Sequence, residues 1–344
     1  MTASYKKYIL NFKRPSGTSR GVLTEKETWF IKISDGRNFG IGECGILRSL
    51  SYDDRPGYEE KLKWACDNIK LGEEKLWEEL REFPSIQFGV EIAFKSLKSK
   101  DPYLLFPSDF TSGEKSIPIN GLIWMGDKDF MKKQISEKIQ AGFNCIKLKI
   151  GAIDFETELK LLKSIRENFS AEQIELRVDA NGAFSPENAL EKLDKLSKYD
   201  LHSIEQPIKQ GQIEEMAALC KRTPLPIALD EELIGVTDVT EKRKLIQTIN
   251  PQFAIFKPSL IGGFRGTIEW KEICEENNVD WWITSALESN IGLNAIAQWT
   301  YKLDPELPQG LGTGSLYTNN FESPLEVKNG NIHYNPAREW EINY

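Results

Sequence analysis

Histidine is nearly absent. Among 344 residues only His202 and His333 carry an imidazole, which excludes a tri-histidine metal centre. Cysteine is scarce as well. The five, Cys44, Cys66, Cys145, Cys220 and Cys274, are odd in number, widely spread and free of any C-x-x-C pair. Neither a disulfide scaffold nor a zinc ribbon fits, and a reducing, cytoplasmic setting is expected. There is no surplus of positive charge: 44 Lys and Arg face 52 Asp and Glu, for a net charge of -8. Such a chain is a poor partner for nucleic acid or an anionic membrane. No apolar run approaches the roughly 18 residues of a spanning helix. The opening MTASYKKYILNFKRP has neither the apolar stretch nor the cleavage site of a secretory signal. What remains, 40% apolar and 28% charged, is ordinary globular composition, with length for one large domain or two.

The first 110 residues read as strands followed by helices. Tyr8 to Asn11, Glu27 to Ile33 and Asn38 to Glu43 have strand character, with Asp35-Gly36 as the hairpin turn. Helical stretches follow around Tyr58 to Lys70, Lys75 to Glu82 and Ile86 to Ser99, making a small α+β unit. Residues 106–115, with Pro107 and Gly113, read as a linker. Over residues 111–320 strand and helix alternate. Strands are expected at Ile117–Gly121, Asn144–Ile150, Glu175–Asp179, Ser203–Gln206, Ile227–Asp230, Phe253–Lys257 and Trp281–Thr284, with a weaker one near Gln309–Leu311. Ser185-Pro186 opens one of the intervening helices as N-cap and N1. About eight such units in some 200 residues point to an α/β chain built on a (β/α) barrel. The alternative is an open doubly wound sheet, but no G-x-G-x-x-G follows an early strand. Residues 321–344 contain a terminal hairpin around Asn329-Gly330 and are expected to pack back on the first domain.

Charge stands where buried strands end. In Cys145-Ile146-Lys147-Leu148-Lys149-Ile150 the side-chain period of two puts both lysines on one face and the aliphatics on the other. The same parity turns Asp179, Glu205, Asp230 and Lys257 inward on the next four strands, spaced one βα unit apart. Any one of them could cap a strand in solvent. Five strands in succession with matching parity instead point to a site at the carboxyl ends, where barrel sites are built. Three adjacent carboxylates need a cation, and oxygen-only ligands suit Mg²⁺, with Mn²⁺ as a substitute. A metal flanked by amines is an arrangement for removing a proton next to a carboxylate.

These residues resemble the enolase superfamily, in its muconate-lactonizing-enzyme-like subgroup. The motifs are Lys147-Leu148-Lys149, Asp179-Ala180-Asn181-Gly182, Glu205-Gln206-Pro207, Asp230-Glu231 and Lys257-Pro258. The resemblance spans nearly the whole chain and includes an N-terminal α+β capping domain with Gly42-Glu43-Cys44. It implies that Asp179, Glu205 and Asp230 ligate Mg²⁺ and that Lys149 and Lys257 face each other across the substrate. Lys147 would support Lys149, and Asn181 would stand behind the ligands.

Within the subgroup, Thr284 to Leu293 resembles the o-succinylbenzoate synthase branch, and Gly310 to Gly314 lacks the Asp-x-Asp usual in dipeptide epimerases. Thr18-Ser19-Arg20-Gly21 resembles a substrate-closing loop. The resemblance thus implies a hydro-lyase acting on a small-molecule carboxylate that carries a succinyl chain, with Ser285, Leu287, Gly312 and Arg20 as substrate contacts. It implies no nucleic-acid or membrane partner and leaves room for a homo-oligomer. The rival activities are racemisation of N-succinylamino acids and dipeptide epimerisation. A Schiff-base aldolase on the same fold would have no use for three carboxylates, and a non-catalytic barrel would not be expected to keep all the charged site residues. Bland roles are expected elsewhere: His202 structural or solvent-facing, His333 exposed, Cys145 a core residue, Glu231 in a supporting ion pair. Glu43 could touch the closed site or lie in solvent.

Overall fold

The computed structural model describes residues 1–18 and 21–342. Strands β1 (Thr2–Thr18), β2 (Gly21–Ser34) and β3 (Phe39–Gly45) form an antiparallel sheet. Trp29, Phe30, Ile31 and Ile33 of β2 are all buried. Helices α1 (Tyr58–Asp67), α2 (Glu73–Glu79) and α3 (Pro84–Lys98) follow. Pro84 at the first turn of α3 presets its backbone. This helix presses backbone against backbone on β3: a Cβ on Gly42 would overlap the Gly89 carbonyl, and one on Gly89 would overlap Cys44 Sγ. That contact welds sheet and helices into one layer pair.

The barrel then runs as follows. Strand β4 is Ser116–Pro118 and β5 Gly121–Ile123, then α4 (Lys128–Gln140), β6 (Cys145–Lys149), α5 (Phe155–Arg166), β7 (Glu175–Asp179) and α6 (Pro186–Leu196). After these come β8 (Ser203–Glu205), α7 (Ile213–Arg222), β9 (Ile227–Leu229), α8 (Val239–Ile249), β10 (Phe253–Phe256), α9 (Gly263–Glu276), β11 (Asp280–Ile283) and α10 (Asn290–Lys302). Strands β5 to β11 pair in parallel and in sequence order. Residues 309 and 310 close the sheet on itself. Asn120 N–H donates to Gln309 O at 2.9 Å, and Gly310 N–H to Ile283 O at 2.8 Å. Asp127, Asp154 and Asp238 cap α4, α5 and α8 by accepting first-turn N–H groups. Ser185 sits at the N-cap of α6 without a side-chain capping bond, leaving the start to Pro186.

The parity expectation is met. Ile146, Leu148, Leu176, Val178, Ile204, Leu229, Ala254 and Phe256 face out into one cluster shared with the helices. Ala228, Ile255 and Trp282 fill the interior. Arg177 closes the floor, its guanidinium 4.3 Å from the Trp282 ring centre and bonded to Glu175 Oε1 and Pro308 O. Cys145 is a buried neighbour that donates to Glu175 at 3.3 Å, and His202 is half-buried against Phe253.

Two expectations need correction. The strand expected at Ile117–Gly121 is two: Pro118 has no N–H to donate, and β4 joins a terminal hairpin while β5 begins the barrel. That hairpin is β12 (Leu325–Lys328) and β13 (Asn331–Tyr334), with β13 antiparallel to β4. His333, expected in solvent, is half-buried there. Beyond the hairpin, Trp340 stacks on Tyr103 at 4.8 Å, while Phe321 packs edge-on against Phe30 of β2.

Candidate active site

Lys147 and Lys149 leave β6 on its inner face. Asp179 ends β7, Glu205 ends β8, and Asp230 and Lys257 follow β9 and β10. The parallel register places Lys149 opposite Asp179 and Asp179 opposite Glu205. The loops are pinned by amides. Gln206 accepts N–H bonds from Asp230 and Glu232, and donates to Ile208 O and Glu232 Oε2. Glu158 accepts the Gly151 N–H at 2.7 Å and so holds the loop just past Lys149.

All six charged side chains meet. Lys147 Nζ pairs with Asp179 Oδ2 at 2.9 Å and also with Glu205. Lys149 Nζ donates to Asp179 Oδ2 at 2.8 Å and to Asn181 Oδ1 at 2.7 Å. Lys257 pairs with Asp230 and lies 3.8 Å from Glu205 Oε1. Asn181 reaches from Lys149 to Glu231 Oε1 at 3.1 Å, so Glu231 has a supporting amide partner. Burial opposes the charge of Lys147, yet Asp179 and Glu205 outweigh it and hold the ammonium well above the usual lysine value. Burial likewise opposes Lys257, and Asp230 and Glu205 raise it. Asp179, although buried, is driven far below the carboxylate range by Lys147 and Lys149. Asp230 goes down against its burial because of Lys257. Glu205 goes the other way. Burial first, then Asp179, push its carboxyl well above its usual value.

The cluster floors a cavity of about 410 Å³ between barrel mouth and cap. Lys147, Lys149, Lys257 and Asn181 reach it; the three acids lie behind the amines and do not line it. Ser285, Leu287 and Gly312 line its wall. Arg20 lies outside the described residues. Reading the sequence missed the cap's own contribution: Lys13, Arg14 and Ser16 on β1 border the same cavity, with Trp124 and Thr313 from the barrel. The usable signal was Lys13-Arg14 just ahead of Pro15 and Gly17, where the β1–β2 register shifts. Glu43 does not lie in solvent. It is wholly buried, accepting N–H bonds from Ser289 at 2.9 Å and Gly292 at 2.8 Å at the start of α10.

Among the described residues no three acidic, histidine or cysteine side chains are grouped to hold a metal ion as they stand. The amines of Lys147 and Lys257 pair with the acids instead. The donor chemistry nevertheless fits Mg²⁺. Three carboxylates are collected from adjacent strands, and both Glu205 oxygens are buried without a well-formed hydrogen bond. An amine that is to accept a proton must first be neutral, and a divalent cation would supply positive charge beside the acids in its stead.

The sequence pattern of the Enolase C-terminal domain-like family matches residues 131–338. An o-succinylbenzoate synthase of Desulfotalea psychrophila is 47% identical, over 96% of this chain and 98% of the relative. The crystal structure of MenC from Desulfotalea psychrophila LSv54 has a TM-score of 0.86 at 44% identity, covering 97% of this chain and 99% of that one. A dipeptide epimerase from Enterococcus faecalis V583, complexed with Mg and L-Leu-L-Tyr, has a TM-score of 0.83 over 97% and 96% of the two chains. At 19% identity that likeness shows the fold alone. The matched pattern covers the strands that carry all six charged residues, and the chain belongs to the Enolase C-terminal domain-like family.

Proposed function

We propose that this chain is a hydro-lyase that converts 2-succinyl-6-hydroxy-2,4-cyclohexadiene-1-carboxylate to 2-succinylbenzoate by syn elimination of water, a step of menaquinone biosynthesis. The observation that carries the reading is the pair Lys149 and Lys257 reaching one cavity above three buried acids, in a chain 47% identical to a named o-succinylbenzoate synthase. The donor set Asp179, Glu205 and Asp230 would hold Mg²⁺, or Mn²⁺ in its place, once the neighbouring amines give way. When bound, the ion supplies Lewis acidity toward the substrate's ring carboxylate.

The chain's own residues do the proton work. Lys149 takes the proton α to that carboxylate, with Asn181 and Asp179 holding its amine in line. The same amine, now protonated, returns the proton to the departing hydroxyl, so one residue serves both halves of a syn elimination. Lys257 stays an ammonium, secured by Asp230, and offsets the negative charge that builds on the substrate. Lys147 is an ion-pair partner of Asp179 and Glu205 that holds both in place and favours the charged form of Asp179. Ser285, Leu287 and Gly312 shape the wall for an uncharged stretch of substrate, and Arg20 belongs to the loop expected to close over it. The test is to replace Lys149 by alanine and follow dehydration and Mg²⁺ binding side by side.

A further inference from the structure

A buried lysine and two buried carboxylates outside this cluster lie where the capping sheet sits on the barrel. Lys26 of β2 is 4% exposed, and its Nζ has no hydrogen-bond acceptor. Burial pushes its ammonium below the usual lysine value, against the weaker pull of Glu288 and Glu43. Glu43 of β3 accepts the Thr28 hydroxyl at 2.9 Å and the Ser289 hydroxyl at 2.5 Å, besides two N–H groups at the start of α10. Glu288, in the loop after β11, accepts the hydroxyls of Ser259 and Ser285, both at 2.5 Å. Two glycines make the room. A Cβ on Gly45 would stand 2.8 Å from Lys26 Nζ; one on Gly292 would stand 2.8 Å from Glu43 Oε2 and 2.9 Å from Glu288 Cβ.

The hydroxyl of Ser285 is fully committed. It donates to Glu288 and accepts the Leu287 N–H at 3.0 Å and the Thr313 hydroxyl at 2.8 Å. One proton and two lone pairs are all it has, so this cavity-lining side chain keeps no hydrogen bond for a ligand. What it does is hold the wall. Leu287 has a left-handed backbone, φ 64°, and its other end is held by the Tyr317 hydroxyl donating to its carbonyl at 2.6 Å. Ser259 lies two positions past Lys257, so the same carboxylate also ties down that lysine's loop.

We infer that Glu288 is a positioning residue for the pocket wall of Ser285, Leu287 and Thr313. The inference rests on the synthase reading only for its activity assay and product probe. The full chain and its E288Q, S285A and S285A/E288Q variants are compared for kcat, KM, calorimetric binding of 2-succinylbenzoate, and melting temperature. E288Q is expected to raise KM and weaken product binding about tenfold with kcat within about threefold, the loss of a charged hydrogen bond that shapes binding. S285A moves both in the same direction, and S285A/E288Q is no worse than E288Q, because Glu288 acts through Ser285. A folded E288Q with KM and product affinity within twofold of the parent overturns the positioning role, as do S285A and E288Q effects that multiply. If E288Q fails to fold, S285A decides by its KM and product affinity alone. A parent enzyme that neither dehydrates the substrate nor binds the product defeats the synthase reading, whereas an active parent whose E288Q variant binds as it does defeats only the positioning role.

Discussion

The Lys149 amine donates to Asp179 Oδ2 at 2.8 Å, so the residue assigned to proton transfer is anchored to an acid assigned to the metal. Removing the amine takes away the proton carrier and leaves the acid. Lys149→Ala should therefore lower dehydration by at least about 10³-fold, the scale of a lost acid–base group acting twice, while Mg²⁺ binding persists in calorimetry. Loss of metal binding alongside activity would assign Lys149 a structural part.

The acids should respond to metal as a set. An ion that binds only the folded chain stabilises it by about 2.7 kcal/mol at a hundredfold excess over its Kd, so Mg²⁺ should raise the melting temperature and chelator should reverse the rise. Glu205→Gln and Asp230→Asn should erase that response, since each removes a charged donor from a buried set. An unchanged Mg²⁺ shift in both variants would place the ion elsewhere.

Much of this site is legible in the sequence because barrel strands are buried on both faces. An inward Lys147, Lys149 or Asp179 then has no solvent to explain it, and parity alone brings the set together. The cap is different. Glu43 meets Ser289 across 246 positions of chain, and nothing local in Gly42-Glu43-Cys44 says which helix start it will reach. Lys26 reads as one more strand lysine until the barrel closes over it. Strand β4 misleads because Ile117 and Ile119 have the apolarity of a barrel strand, while Pro118 between them spoils the ladder. That the amines sit in front of the acids, and not beside them at the cavity surface, is likewise a matter of side-chain reach and not of spacing.

A second buried cap carboxylate makes stability depend on pH. Glu91 of α3 accepts N–H bonds from Phe264 at 2.6 Å and Arg265 at 3.1 Å at the start of α9. Burial pushes its carboxyl up to about 8, against those bonds. The folded chain therefore holds a proton that the unfolded chain releases near pH 4.5. Its stabilising contribution is present below that pH and is lost as pH rises through about 8. Across this window the slope reaches at most about 1.4 kcal/mol per pH unit. Glu91→Gln should flatten the slope in denaturant titrations at pH 5 to 9, and an equal slope in both proteins would contradict the assignment.

The weld between β3 and α3 should tolerate no side chain. Gly42→Ala drives a methyl into the Gly89 carbonyl, where both partners are backbone and neither can turn aside. A loss of about 1–3 kcal/mol or more is expected from such overpacking, measured as a lower denaturation midpoint with an unchanged slope. A midpoint equal to the parent's would mean that the sheet and helix are not held at that distance.

The most direct measurement is to mix the purified protein with 2-succinyl-6-hydroxy-2,4-cyclohexadiene-1-carboxylate and Mg²⁺, with and without chelator, and follow product absorbance. The account predicts rapid formation of 2-succinylbenzoate that stops when the metal is withdrawn. No dehydration, with deuterium exchanging instead into an N-succinylamino acid, would contradict it and make the two lysines a racemase pair.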